Sequence, residues 1–366
     1  MVERRGGKDR MRILVTGASG LIGGELCARL AARGHAVTAL VHRRHQILDN
    51  HGRPLPSRAE GPPPAPGELV TRAGDVRAEN LGLAAPPAID LIVHSAAVTA
   101  FDAEPALYEA VNIGGTRAAL AVAQTSGAAL LHVSTAYVCG RTDGPIAPGF
   151  IGQAFTNGYE ASKARAEALV RAGPVPHAVA RPSVVVGDWA QGRISRFENI
   201  YMISKLIAEG RVKTLPAASG ATLDLVPIDH VITGLLTMCE RFADFTGQTV
   251  HLVAHTPTPV PAIGEAMARA RVGTPDFISP DAFSAAALPP REARWHAAAA
   301  ALYTAYLLRA PAFEAGHPLI PACPPTDSAW LDRLIGFALA SGFVKEPLSP
   351  SAADPTQRPP PPRPAS

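Results

Sequence analysis

Eight residues, Thr16-Gly17-Ala18-Ser19-Gly20-Leu21-Ile22-Gly23, lead from an apolar run ending at Val15 into an amphipathic stretch beginning at Leu21. A strand that must turn at once into a helix has few solutions, and small residues at these positions select one of them. Gly17 permits the tight turn, Gly20 lets backbone approach a ligand, and Gly23 permits close packing of helix on strand. The helix start then offers free N–H groups and partial positive charge to an anion. The pattern predicts the first βα unit of a parallel sheet, with a pyrophosphate cradled by Gly17, Ser19, Gly20, Leu21, Ile22 and Gly23. The spacing is Gly-x-x-Gly-x-x-Gly rather than the commoner Gly-x-Gly-x-x-Gly.

The rest of the first half keeps the same rhythm. Apolar runs predict strands over 11–15, 36–41, 68–72, 88–94, 130–134 and 178–182, and amphipathic stretches predict helices over 21–33, 108–126 and 159–171. Strands alternating with helices indicate an α/β, Rossmann-type doubly wound sheet over 11–187. After Gly187 the rhythm breaks. Helices over 194–209, 229–241, 292–309 and 328–340, with a short strand at 223–226, predict a smaller, mostly helical substrate lobe over 188–346. Within it, the chain is expected to re-enter the core at about 223–241. The Pro-rich stretch 49–67, with Gly61-Pro62-Pro63-Pro64, reads as a surface insertion that builds no core. Residues 1–10 and the Pro-rich tail 347–366 read as disordered.

Composition removes several classes of function. The formal net charge of +3 is small and its basic residues are scattered, which argues against nucleic acid. No apolar run approaches the ~18 residues of a membrane span. Cys27, Cys139, Cys239 and Cys323 are far apart and form no Cys-x-x-Cys, so neither a metal site nor a disulfide framework is expected. A reducing, cytoplasmic setting follows as the expectation.

The predicted second strand ends in Val41-His42-Arg43-Arg44. An acidic residue there would hold a ribose 2′-hydroxyl, whereas arginine pairs a 2′-phosphate through its planar fork of donors. The expected cofactor is therefore NADPH in preference to NADH, with Arg43 the nearer contact, Arg44 beside it and Ser19 assisting. Asp75 and Val76, after the third strand, are placed for the adenine, with Asp75 accepting from its amino group. Ser95, Ala96 and Ala97 are small where backbone must pass close to the cofactor.

Tyr159 and Lys163 are four apart at a helix start and share one face. A phenol of pKa ~10 is a poor acid–base group at neutral pH, and a neighbouring ammonium would lower it. Lys163 can also reach the nicotinamide ribose. Thr135, at a strand's carboxyl end, can donate to a substrate carbonyl, with Ser134 its rival. His94 and His132 read as satisfied core histidines and Cys139 as a buried small residue. Trp295, Tyr303 and Tyr306 read as helix packing rather than a substrate tunnel.

The ordered set TGASGLIG, HSAA, VNIGGT, STAYVCG, YEASK and ARPSVVVGD resembles the extended short-chain dehydrogenase/reductase family over residues 11–240. The resemblance implies an NAD(P)-dependent oxidoreductase with Thr135, Tyr159 and Lys163 as its catalytic triad, and a structural role for Asn112. Val133-Ser134-Thr135-Ala136-Tyr137 and the ending at Gly342-Phe343-Val344 look most like the thioester reductase and fatty acyl-CoA reductase branch. That branch implies reduction of a small-molecule or carrier-bound acyl thioester. The Pro-rich insertion and the lack of a visible carrier domain depart from it. A ketone or alcohol oxidoreductase on a sterol-like or terpenoid substrate, a nucleotide-sugar epimerase or dehydratase, and a non-catalytic NADP sensor are the alternatives. Pairing into a homodimer is left open.

Overall fold

The computed structural model describes residues 10–59, 61–85 and 88–345. The expectations for residues 1–9 and for the tail 347–366 lie outside the described residues. Seven parallel strands form the central sheet: β1 Arg12–Thr16, β2 Ala36–Val41, β3 Leu69–Ala73, β4 Leu91–His94, β5 Ala129–Val133, β6 His177–Pro182 and β7 Thr249–Leu252. Their spatial order is β7-β6-β5-β4-β1-β2-β3, every pair parallel. The order reverses between β1 and β4, and that crevice is where open α/β sheets bind ligands.

Parallel strands covered on both faces must be apolar throughout, and β2 and β4 are buried at every position. The pleat then sorts the residues by face. Ile13 and Val15 pack under helix α1, Leu21–Ala32, whereas Leu14 packs with Ile92 and Leu130 under helix α2, Gly115–Ser126. Helix α3, Gly158–Ala172, crosses on the same side as α2 and carries Tyr159 and Lys163.

Strand β7 was not anticipated from the sequence and lies within the stretch assigned to the second lobe. It pairs with β6 from Thr249↔Val179 to Leu252↔Pro182 and extends the sheet. The helix of the re-entering chain, Ile228–Glu240, packs into the same cluster as α1.

Four other expectations change in detail. The helix expected over 108–126 begins at Pro105 and passes through a π-helical stretch, Glu109–Gly114, before α2. Asn112 lies within it, its buried Oδ1 accepting from Val98 N at 2.7 Å and its Nδ2 donating to Val98 O at 3.1 Å and Ser162 Oγ at 2.8 Å. The helix expected from 194 begins only at Ile200, because Asn199 adopts φ +50° and Ser195 N is taken by Asn50 Oδ1. The short strand at 223–226 splits at buried Asp224, which accepts from Ser183 Oγ and Ala254 N. The run 290–308 is a chain of α, π and 3-10 turns rather than one helix.

The lobe is built around Trp330, Tyr201 and Ile203, with helices Ile200–Ala208, Val260–Arg269 and Ser328–Ala340 around them. The Pro-rich insertion is exposed over most of its length, but Asp49 and Asn50 at its start are buried.

Candidate active site

One cavity of about 580 Å³ opens at the carboxyl ends of β1, β2, β4, β5 and β6. Its wall is formed by every residue proposed from the sequence: Gly17, Ser19, Gly20, Leu21, Ile22, Gly23, Arg43, Arg44, Asp75, Val76, Ser95, Ala96, Ala97, Thr135, Tyr159 and Lys163. Ser134, the rival to Thr135, lines it too, and its buried hydroxyl has no partner among the described residues.

The glycine turn has the geometry that its residue types allow. Gly17 has φ +69°, and a Cβ there would lie 2.6 Å from Ala96 N. A Cβ on Gly23 would lie 2.2 Å from Gly17 O. The turn therefore tolerates side chains at neither position. Gly20 is the N-cap of α1 and no side chain caps the helix, so its first-turn N–H groups are free for an anion. This cradle fits a dinucleotide pyrophosphate. Thr16 ties the turn to β4, its carbonyl accepting from Ser95 Oγ at 2.8 Å and its hydroxyl from Ala96 N at 3.3 Å.

Arg43 and Arg44 are exposed, and no ion pair engages either among the described residues. Asp75 already has a partner within the protein. Arg77 bonds its carboxylate through Nε at 3.0 Å and Nη2 at 2.7 Å, which holds the carboxyl at about 2. An adenine amino group would share that carboxylate with Arg77.

Around the residues expected to be catalytic, the groups converge but their electrostatics depart from expectation. Thr135 and Tyr159 line the same part of the cavity, and the Thr135 hydroxyl lies close enough to bear on the Tyr159 phenol. Burial drives the Tyr159 phenol above its ordinary range, and only the Thr135 hydroxyl works in the opposite direction. The ammonium expected to lower it is engaged elsewhere. Lys163 is fully buried, donating from Nζ to Val133 O at 2.7 Å, with His132 Nε2 at 3.5 Å. Burial lowers its pKa to about 8, while Glu167 favours the charged form.

His94 and His132 stack at 5.6 Å beneath this lysine. Both are held neutral by burial and by the Lys163 charge, His94 at about 3 and His132 well below its usual value. They differ from satisfied core histidines in one respect: His94 Nε2 and His132 Nδ1 lack partners among the described residues. Cys139 is buried and burial raises its thiol to about 11, so it is no nucleophile.

Two aromatic residues assigned to packing belong to the site. Tyr303 and Tyr306 line the cavity and meet Phe101 at 5.6 and 5.3 Å, and Phe101 lies 6.2 Å from the Tyr159 ring. Trp295 does pack, buried under the Arg211 guanidinium. Sequence reasoning also missed the partners of Glu160. This carboxylate accepts from Tyr306 Oη at 2.7 Å, Arg309 Nη2 at 2.8 Å and Thr156 N at 2.8 Å. Nothing in the local sequence marks a pair 149 residues apart.

A parallel sheet in this order, a glycine turn at its switch point and a Tyr-x-x-x-Lys helix define an extended short-chain dehydrogenase/reductase, a nicotinamide-dependent oxidoreductase. Residues 15–235 match the male sterility protein family, and the chain belongs to that family. Among curated relatives, a 3 beta-hydroxysteroid dehydrogenase/Delta 5-->4-isomerase of Mycobacterium tuberculosis is 28% identical over 243 residues, 62% of this chain and 59% of that protein. This chain thus spans about three-fifths of that relative's length. Fatty acyl-CoA reductase 1 of Gallus gallus is 30% identical over 181 residues, 39% of this chain and 35% of the relative. Among solved structures, the terminal R domain from the myxalamid PKS-NRPS biosynthetic pathway shares the fold at a TM-score of 0.71, with 23% identity and 93% of each chain covered. No helix among the described residues is long and apolar enough to cross a membrane.

Proposed function

We propose that this chain is an NADPH-dependent reductase that converts an acyl thioester to the aldehyde or alcohol. The observation that carries the reading is the cavity wall beyond Thr135 and Tyr159. Phe101, Leu107, Ile203, Leu223, Tyr303 and Leu307 make it largely apolar and aromatic, with Glu198 and Asn199 among its polar members, which suits an acyl chain better than a sugar nucleotide. The likeness to an acyl-CoA reductase and to an R domain supports the same substrate class. Residues 11–187, with the returning chain near 223–241, serve as the cofactor domain, and most of 188–346 as the substrate lobe.

The cofactor would be held by the glycine turn, by Ser95-Ala96-Ala97 and by Lys163 at the ribose, and it supplies the hydride when bound. Arg43 and Arg44, carrying no counterion among the described residues, favour a 2′-phosphate. Thr135 and Tyr159 place two hydroxyls at one point, where both can donate to the substrate carbonyl oxygen as it gains charge. Burial raises the phenol's pKa, so Tyr159 is protonated at neutral pH but a weaker donor than a free phenol, and the positive nicotinamide ring left by hydride transfer would act to lower it. Below about pH 8 Lys163 is charged and, anchored on the Val133 carbonyl, lines the cavity where the ribose would lie.

The test is NADPH oxidation by the purified chain with a graded series of acyl-coenzyme A thioesters, followed by product analysis. Aldehyde or alcohol formation is the expected result. A second reading, oxidation and reduction at a sterol-like alcohol or ketone, draws on the same apolar wall and on the steroid dehydrogenase relative. Turnover of a 3-hydroxysteroid, with no activity on any thioester, would replace the first reading by the second.

A further inference from the structure

Between β6 and the helix Ile200–Ala208, residues 193–199 form a strap that reaches the glycine turn. Arg196 Nη2 donates to Ser19 O at 3.1 Å, and Nη1 lies 3.8 Å from the Glu198 carboxylate, an exposed and loose pairing. Arg196 lines the main cavity and also a recess of about 420 Å³ beside it, together with Ser19, Gly20, Arg44, His45 and Ser195. The walls of that recess hold two guanidinium groups and no carboxylate. A guanidinium that spends one donor on a carbonyl keeps others for an anion, and two of them around one recess suit a phosphate.

The strap is held in place from the Pro-rich insertion. Asn50 is buried and bonds in three directions: Nδ2 donates to Arg193 O at 2.9 Å, Oδ1 accepts from Ser195 N at 3.2 Å, and its backbone N donates to Glu25 Oε2 at 2.7 Å. Glu25 belongs to α1, the helix that follows the glycine turn. Insertion, cofactor helix and strap are thus fastened at one residue, next to Arg196.

We propose that Arg196 is a further ligand of the cofactor's 2′-phosphate, brought to Ser19 and Arg44 from the lobe, and that Asn50 is the positioning residue that keeps it there. The proposal rests on the NADPH reading. Its physical content is that cofactor selectivity is set from two directions: by Arg43 and Arg44 at the end of β2, and by a strap whose far end, Asn199 and Ile200, lines the substrate side of the cavity.

The experiment measures dissociation constants of NADPH and NADH by fluorescence titration of the full chain, with melting curves as a check on folding. Arg196→Met is expected to weaken NADPH about tenfold, the loss of one charge-assisted hydrogen bond, and to leave NADH within about twofold. Asn50→Ala is expected to weaken NADPH selectively by a smaller factor, and to add nothing once Arg196 is replaced, because the two act through one contact. Equal weakening of both dinucleotides by Arg196→Met would overturn the assignment to the 2′-phosphate and move the residue to the pyrophosphate. No change in either would overturn the proposal altogether. A wild-type chain that binds NADH as tightly as NADPH would instead fault the NADPH reading, before any substitution is made.

Discussion

The sheet half and the lobe half of this molecule are built by different rules. In the sheet, each strand's burial follows from its own pleat, so that Ile13 and Val15 face α1 while Leu14 faces α2. The glycine turn likewise works through contacts near in space to its own strand and to β4. In the lobe, regular elements are short or interrupted. Its strands pair as two-stranded ribbons, and its last cavity-lining run changes between α, π and 3-10 turns. Besides its apolar packing, the lobe meets α3 through distant polar contacts, with Arg309 and Tyr306 on Glu160 at the centre. Chemistry placed on the sheet half can therefore be positioned by local geometry, whereas the lobe shapes the pocket through a few long-range pairs.

The sharpest test of this division is Tyr159→Phe. Removing the phenol hydroxyl should lower kcat about 10²- to 10⁴-fold, the usual contribution of a general acid, and leave the NADPH dissociation constant unchanged. Full activity in this variant would show that the sheet half does not carry the chemistry.

Next in size is Arg309→Met, which strikes the lobe's attachment. Both members of the Arg309–Glu160 pair are buried, and leaving Glu160 uncompensated should cost about 3–5 kcal/mol in denaturant unfolding. The lobe packs against the first turn of α3, so kcat should fall while cofactor affinity holds. Unchanged stability would mean that the lobe is fastened by its apolar contacts alone.

The smallest effect concerns Lys163. Its folded pKa of about 8 lies below the ordinary lysine value of 10.5, so between those limits the unfolded chain holds more protons than the folded one. Stability should therefore rise with pH across that window, by roughly 3 kcal/mol. The penalty for burying the charge is fully present below pH 8. Comparing melting curves of wild type and Lys163→Met from pH 7 to 10.5 isolates this slope. An absent slope would show that the Val133 carbonyl and Glu167 hold the ammonium charged throughout.

The departures from the sequence reading have one physical origin. The missed strand β7, Thr-Val-His-Leu, is only four residues long and half polar, and whether it joins the sheet depends on β6 being free to pair. The phenol of Tyr159 was expected to be lowered by Lys163, four residues away on the same helix face. Yet Lys163 turns to the Val133 carbonyl of the neighbouring strand, and burial then decides the direction of the Tyr159 shift. Tyr303 and Tyr306 looked like packing because their helix is apolar, and only its docking against Phe101 turns them into the cavity wall.

What the residues determined unaided was the set of short-range decisions. A glycine with positive φ, a helix start without a side-chain cap, strands buried on both faces and a tyrosine one turn from a lysine all follow from interactions within a few residues. Tertiary structure decided what requires two distant segments to meet. It brought Asn50 to Arg193, Arg196 to Ser19 and Arg309 to Glu160 across 143, 177 and 149 residues respectively. Such contacts leave no local periodicity, because a buried polar group is satisfied by whichever donor or acceptor the packing delivers to it.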